Sequence, residues 1–530
     1  MNYPIIPKPQ SIAAGDRPVF TLTRLCEIEG EQIFPEAAAA LKKFLEESFD
    51  ISLLGTGREK ISLSLSEEIP HEEGYTLSVK EDEVIIKGRT EKGIFYGIQT
   101  LKQMLMYGEL TLCETEITDE PNMDYRGFLL DCGRYFFTKE AVFVFLEIMA
   151  LHKLNRFHWH LTDDQGWRFY SEKHLLLTEI GSYRTHTNFN SVPHGGYYTK
   201  EDMKEIVDYA HSLFIKVIPE IDTPGHTVSA IAAYPFLSCF DRELVTETKW
   251  GVKYDVLCVG KESTFDFVFS LFDEALEIFT DGIIHIGGDE VPVQRWKLCP
   301  QCQRRMKEEG LKKEDELHTY YLNRIGNYLK DKGVEVIMWN DRVKEYMTDS
   351  FISWQLWNGD MKEEEVAGEI NKGRSFILSP SEAYYLDLPY GQISLEKCYK
   401  YNPVPDGVRE ENLHRIKGVE ACLWTEFVPT MEKAGYCTFP RLGAFAETAW
   451  TKEENKDYDS FLSRLDGYYK HLNAINLDFA SYKKAQPNAI RKGASLLYWE
   501  RRKFCWGGIY NLINNRQIEK KYGKKDNKND

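Results

Sequence analysis

Residues 283–290 read Ile-Ile-His-Ile-Gly-Gly-Asp-Glu, an apolar run that breaks at two glycines and ends on two adjacent acids. A short apolar run bounded by glycine predicts a buried strand. The same pattern recurs on both sides of it, in RGFLLD (126–131), NRFHWHL (155–161), IKVIPEID (215–222), VEVIMWN (334–340), FISWQLW (351–357), SFILS (375–379) and GVEACLW (418–424). Helical stretches such as KEAVFVFLEIMALHK (139–153) and STFDFVFSLFDEALEIF (263–279) separate these runs. Strands that alternate with helices form parallel βαβ units, and eight of them predict an α/β fold, a (β/α)₈ or TIM barrel.

Polar and aromatic residues collect at the carboxyl end of nearly every predicted strand. Asp131, Asp163, Glu220, Asp222, Asp289, Glu290, Trp339, Asn340, Trp357, Trp424 and Glu426 all lie there or just beyond. A (β/α)₈ barrel builds its active site from strand ends and the loops that follow them. A doubly wound open sheet is the alternative architecture, but no glycine-rich phosphate loop accompanies these strands.

Upstream, residues 1–120 predict a smaller α/β domain with no catalytic constellation. YTLSVK (75–80) and EVIIKG (83–88) alternate as half-buried strands do, and EKGIFYGIQTLKQMLMYG (91–108) carries an apolar stripe at helical spacing. The barrel is expected over 121–465. Residues 466–530 are expected to be a helical extension that ends in a charged, solvated tail, KKYGKKDNKND (520–530).

The formal net charge of −17 argues against a grip on nucleic acid or an anionic membrane, which requires clustered Lys and Arg. A neutral partner fits better, and homo-oligomerisation is left open. The amino terminus, MNYPIIPKPQ, shows neither a leader nor a membrane-spanning segment. The eleven cysteines have no disulfide-framework spacing. Both observations predict a reducing, cytoplasmic setting, with secretion not excluded.

Two carboxylates at one strand end repel each other and lose solvation, which raises the pKa of at least one and prepares an acid. HIGGDE (285–290), with RGFLLDCGR (126–134), HWHLTDDQGWR (158–168) and PEIDTPGH (219–226) before it and YLD (385–387) and ACLWTE (421–426) after it, resembles glycoside hydrolase family 20. The resemblance covers about residues 1–465, and it implies a retaining exo-β-N-acetylhexosaminidase acting on terminal β-linked GlcNAc or GalNAc. The 2-acetamido group of the substrate would serve as nucleophile in place of an enzyme carboxylate.

By the same resemblance Glu290 is the general acid/base and Asp289 orients the acetamido group. Arg126 would bind the C3 and C4 hydroxyls, Asp163 and His226 would form a relay to Glu290, and His160 beside them would contact the substrate. Tyr385 would hold the acetamido oxygen, and Asp387 and Glu426 would accept from the C4 and C6 hydroxyls. Trp339, Trp357 and Trp424 end different strands and can converge as an apolar box for the acetamido methyl. Trp354 competes for the middle position, and Tyr384 stands beside Tyr385.

No cofactor and no catalytic metal are expected, since HExxH and ligand pairs at fixed helical spacing are absent from the sequence. Cys299-Pro-Gln-Cys302 is half of a zinc-knuckle pattern without a second half, and is read as a structural loop. Two other functions compete: a family-20 relative that releases disaccharides or prefers sulfated sugars, and a non-catalytic sugar-binding protein. Retention of Glu at position 290 weighs against the second.

Overall fold

The computed structural model describes residues 3–187, 189–341, 343, 347–506 and 516–522. Six strands, β1 (Ser11–Thr21), β2 (Glu27–Glu29), β3 (Lys60–Leu65), β4 (Tyr75–Lys80), β5 (Glu83–Gly88) and β6 (Thr111–Asp119), form one mixed sheet in the order β1-β6-β4-β5-β3-β2. Burial alternates along β4, as expected of a sheet with one face covered. Helix Glu91–Tyr107 covers it at close range: a Cβ on Gly93 would sit 2.3 Å from the carbonyl oxygen of Gly74. The other side of this helix meets helix Lys139–Leu151, so it is buried nearly all round from Gly93 to Leu105.

The chain continues through β7 (Tyr125–Asp131) and β8 (Arg156–His160). Two short hairpins follow, β9 (Thr162–Asp163) with β10 (Gly166–Trp167) and β11 (Tyr183–Arg184) with β12 (His194–Gly195). The remaining strands are β13 (Lys216–Glu220), β14 (Ile283–His285), β15 (Glu335–Trp339), β16 (Ser353–Leu356), β17 (Phe376–Leu378) and β18 (Ile416–Leu423). β7, β8 and β13 to β18 close into a parallel eight-stranded barrel. Each predicted segment overlaps one of its strands, though β7 and β18 begin one and two residues before theirs.

The barrel interior is layered and filled. Tyr125, Ile218, Ile283, Ile337 and Ile377 make an apolar layer. A polar layer lies nearer the site: His158 places its ring nitrogens 2.8 Å from Glu420 and 3.2 Å from Glu220, and His285 Nδ1 lies 3.2 Å from Glu220. Burying a carboxylate costs several kcal/mol unless partners compensate. Burial pushes the Glu220 carboxyl up, but His160, His285 and His158 outweigh it and hold the group well below its usual range.

Arg126 is not at the site. It sits at the amino-terminal end of β7, fully buried, where Nη2 reaches Glu73 at 2.5 Å and Tyr96 Oη at 3.2 Å. Its Nε and Nη1 donate to the carbonyls of Lys153 and Met123, both at 2.7 Å. At ~3.3 Å per residue, the five residues to Asp131 place it ~16 Å below the catalytic face. It joins the amino-terminal domain to the base of the barrel. A boundary at 465 would also cut helix Tyr458–Ala474, whose Arg464 holds Glu447 through two 2.7 Å hydrogen bonds and reaches the Ile5 carbonyl. Of the charged tail, residues 523–530 lie outside the described residues, and 516–522 are helical.

Candidate active site

Successive residues of a strand point to opposite faces, so two adjacent acids can share one pocket only if the backbone turns sharply. Here Gly287, Gly288 and Glu290 all have positive φ, at 70°, 100° and 50°. Gly287 is obligatory, because a Cβ there would lie 1.8 Å from Asp222 Oδ1. Asp222 also accepts from the Gly288 N–H at 3.1 Å, and Asp341 accepts from the Glu290 N–H at 3.1 Å. A non-glycine residue held at positive φ costs ~1–2 kcal/mol, which these bonds offset.

Asp289 and Glu290 line a pocket of about 180 Å³ with Arg134, Trp250, Trp339, Trp357, Tyr385, Asp387, Trp424, Glu426, Phe427 and Trp499. A larger hollow at the other end of the barrel, around Tyr125 and Arg156, holds none of these acids. The aromatic side chains follow one another around the site: ring centroids are 5.7 Å apart for Trp339 and Trp424, 5.9 Å for Trp424 and Tyr385, and 6.2 Å for Tyr385 and Trp357. Trp339 Nε1 donates to Glu220 at 2.7 Å, and Trp357 Nε1 donates to Asp341 at 2.6 Å, which fixes two of the indoles. Trp354 is core, under Arg374, and Tyr384 is buried away from the pocket. Tyr385 and Trp357 are therefore the members of their pairs that face the site.

His226, on the loop after β13, connects the acids to the wall. Its Nδ1 lies 3.4 Å from Asp163 and 3.6 Å from Asp164, and its Nε2 lies 3.5 Å from Glu290 and 3.7 Å from Asp289. Burial disfavours its charge, but Asp163 and Asp289 outweigh burial and raise its pKa well above the ordinary value. Asp163 is itself held low against burial by Arg134 and His226. His160 was expected to touch substrate, yet it is fully buried. One ring nitrogen lies 3.0 Å from Asp163 and the other bonds Glu220, so His160 has no free donor for a sugar. His160 and Asp163 are positioning residues.

The acid pair is divided in a way the sequence did not predict. Asp289 is raised to about 6, first by burial and then by Glu220 and Glu290 against the pull of His226. Glu290, whose side chain is 39% exposed, is held below its usual value because His226 and Arg134 outweigh burial. The directions of the two shifts favour Asp289 over Glu290 as the carrier of the pair's last proton. Asp341, which sequence reading missed, is raised to about 7 by burial and by Asp289. Burial raises Asp387, with Glu426 adding to it, and burial raises Glu426, with Asp131 and Asp163 adding to it against the pull of Arg134. Among the described residues, Asp289 Oδ1 and Asp387 Oδ1 are buried without a hydrogen-bond partner. Buried acceptors without partners, facing a pocket, mark where a ligand's donors go.

Arg134, and not Arg126, lines the pocket. It lies just past the carboxyl end of β7, with Nη2 2.8 Å from Asp163 and Nη1 3.3 Å from Asp131, and its guanidinium is 5.0 Å from the Trp424 ring. The strand-end rule applied to CGR (132–134) would have selected it. Trp250, Phe427 and Trp499 come from distant segments, with Trp499 on the carboxyl-terminal helix Ala489–Trp506 and 5.0 Å from Phe427 between ring centroids. Nothing local in the sequence connects them.

Lysine in place of either arginine keeps the charge and removes the planar fork. Arg134→Lys is expected to lower kcat/KM about 10- to 100-fold, the equivalent of one lost charge-assisted hydrogen bond. Arg126→Lys is expected to lower the melting temperature and leave kcat/KM within about twofold. Kinetics and thermal melts of both variants check this, and the opposite pattern would return the sugar-binding role to Arg126.

Comparison with known proteins adds to the geometry. Residues 123–453 match the model for the glycosyl hydrolase family 20 catalytic domain, and residues 2–120 match that family's domain 2. The chain is 37% identical over 512 residues to a beta-hexosaminidase of Porphyromonas gingivalis, covering 91% of this chain and 65% of that protein. It is 30% identical to the Homo sapiens beta-hexosaminidase subunit beta, covering 75% of this chain and 70% of that one. A Vibrio harveyi GH20 exo beta-N-acetylglucosaminidase, solved in complex with N-acetylglucosamine, superposes with a TM-score of 0.82 at 28% identity over 91% of this chain and 79% of that chain. A beta-N-acetylhexosaminidase from Bacteroides fragilis superposes with a TM-score of 0.78 at 28% identity, over 91% of this chain and 99% of that one.

Proposed function

The chain belongs to glycoside hydrolase family 20, and from that premise we propose that it is an exo-β-N-acetylhexosaminidase, removing terminal β-linked GlcNAc or GalNAc by a retaining, substrate-assisted mechanism. The observation that carries this reading is the aromatic box of Trp339, Trp357, Tyr385 and Trp424 beside the buried, unpartnered Oδ1 of Asp289. An acetamido group needs both parts: an apolar enclosure for its methyl and an acceptor for its N–H. The filled barrel core closes the floor, which suits attack on a chain end.

In this reading the acetamido N–H meets Asp289 while the Tyr385 hydroxyl, kept neutral by burial, donates to the acetamido oxygen. That oxygen attacks the anomeric carbon, Glu290 protonates the departing oxygen, and an oxazolinium forms with Asp289 as its counter-charge. Glu290 then deprotonates the water that opens the ring. Sugar binding expels water from the exposed Glu290 and presents an N–H to Asp289, and both changes shift the shared proton from Asp289 to Glu290. Arg134, Asp387 and Glu426 would bind the ring hydroxyls. Among the described residues lining the pocket, Arg134 is the only cationic side chain, and Asp131 and Asp163 already balance it, which favours a neutral sugar over a sulfated one.

Purified protein should hydrolyse aryl β-N-acetylglucosaminides, and proton NMR should show the β anomer of the product first. Aryl β-glucosides, which lack the internal nucleophile, should be turned over poorly if at all. An α anomer released first, or comparable rates on the two substrate classes, would sink the mechanism.

A further inference from the structure

Four cysteines from three separate stretches meet behind the loops that carry the acids. Cys239 follows the helical turn Pro235–Leu237, Cys258 lies beside the bridge of Ser238 with Leu257, and Cys299 and Cys302 occupy the start of helix Pro300–Glu308. All four are buried, and their sulfur atoms lie within 4.8 Å of one another. Individual Sγ separations are 3.6 Å for Cys258 to Cys299, 3.6 Å for Cys258 to Cys302 and 3.9 Å for Cys239 to Cys302.

These distances exclude a disulfide, whose S–S bond is ~2.05 Å, and no pair among the ten cysteines whose side chains are described is bridged. They do match another geometry. A metal bound by four thiolates at ~2.3 Å sits in a tetrahedron whose sulfur–sulfur edges are ~3.8 Å. Buried cysteines often pack as small apolar side chains, but simple packing does not require four of them to converge from three segments on the edges of one tetrahedron.

We propose that Cys239, Cys258, Cys299 and Cys302 hold one Zn²⁺ in a closed four-thiolate site. Four sulfur ligands select zinc among the common divalent ions and leave no position for substrate or water, so the site is structural and takes no part in hydrolysis. Its place in the fold gives it a purpose. Gly260 lies so close to the Cys299–Cys302 turn that an added Cβ would sit 2.3 Å from the Cys302 nitrogen. Leu257 donates to the Pro224 carbonyl at 3.0 Å, two residues from His226, and accepts from Trp296 Nε1 at 3.0 Å. Helix Gln294–Leu298, which carries Trp296, begins four residues after Glu290. The metal therefore ties the loop bearing His226 to the loop bearing Asp289 and Glu290. The sequence showed only Cys299-x-x-Cys302, because the other two ligands are brought in by the fold.

The site can be tested independently of the glycosidase reading. Full-length protein purified without chelator should contain about one equivalent of zinc by mass spectrometry of the metal. Cys302→Ser should lose the zinc and melt earlier, whereas Cys398→Ser, buried elsewhere, should retain it. Should Cys302→Ser fail to fold, cobalt exchanged into the wild-type chain decides: tetrahedral d–d bands with thiolate-to-cobalt charge transfer are expected. Folded wild-type protein without zinc, zinc retained in Cys302→Ser, or a cobalt spectrum lacking thiolate charge transfer would overturn the proposal.

Discussion

Glu290→Gln is expected to lower kcat/KM about 10²- to 10⁴-fold on substrates that leave as sugar or alkyl alcohols, the usual contribution of a positioned general acid. On nitrophenyl substrates, whose leaving group needs little protonation, the first step should be far less affected. The pH dependence should change sign between the two proteins. In the wild type the competent pair carries one proton, and in the free site that proton is held by Asp289 with a pKa raised to about 6. Wild-type kcat/KM should therefore fall as pH rises above about 6, approaching tenfold per pH unit once the proton is lost. In Glu290→Gln no proton is needed on an activated substrate, and only ionised Asp289 is required. Its rate should rise with pH through Asp289's titration, which lies below that of the wild type because the negative neighbour is gone. Parallel profiles for both proteins, or equal losses on both substrate types, would remove Glu290 from the acid role.

The reasons these features were or were not legible differ by residue. The barrel could be read because each buried strand is a short apolar run and each helix a long one, and tertiary context did not override either. Asp289, Glu290 and three of the tryptophans could be read because a (β/α)₈ barrel concentrates function at strand ends, whereas Tyr385 and Asp387 came from the resemblance alone. Arg126 failed by that same rule: it opens its strand, and only the resemblance placed it on the sugar, while Arg134 was the arginine the geometry favoured. His160 was misassigned because a sequence does not say that both ring nitrogens are already taken, by Glu220 and Asp163. Trp250, Trp499 and the pairing of Cys239 and Cys258 with Cys299-x-x-Cys302 depend on loops folding back over many residues. The proton's place on Asp289 depends on a field summed over His226, Glu220 and Arg134.

Asp289→Asn should separate catalysis from stability. The wild-type site keeps three mutually repelling buried carboxyls together: Asp222 and Asp341 are both raised by burial and then by Asp289. Asn has nearly the same shape and no charge to repel them, so the variant should melt at or above the wild-type temperature. Such a gain on neutralising a functional group is the common trade-off between stability and activity. Its catalytic cost should be large. Asn can neither balance the oxazolinium's positive charge nor hold the acetamido N–H with an ionised acceptor, so the internal nucleophile swings out of line. Alignment of an internal nucleophile can contribute ~7–11 kcal/mol, and losing ~4 kcal/mol of it would lower kcat/KM ~10³-fold on aryl N-acetylglucosaminides. A thiazoline analogue of the bicyclic intermediate should lose affinity in parallel, because the same charge is missing from the same contact. Kinetics, inhibitor titration and thermal melting of the one variant give all three readings. Slow turnover with undiminished thiazoline affinity would mean that Asp289 supports the fold of the turn after β14 and not the charge of the intermediate.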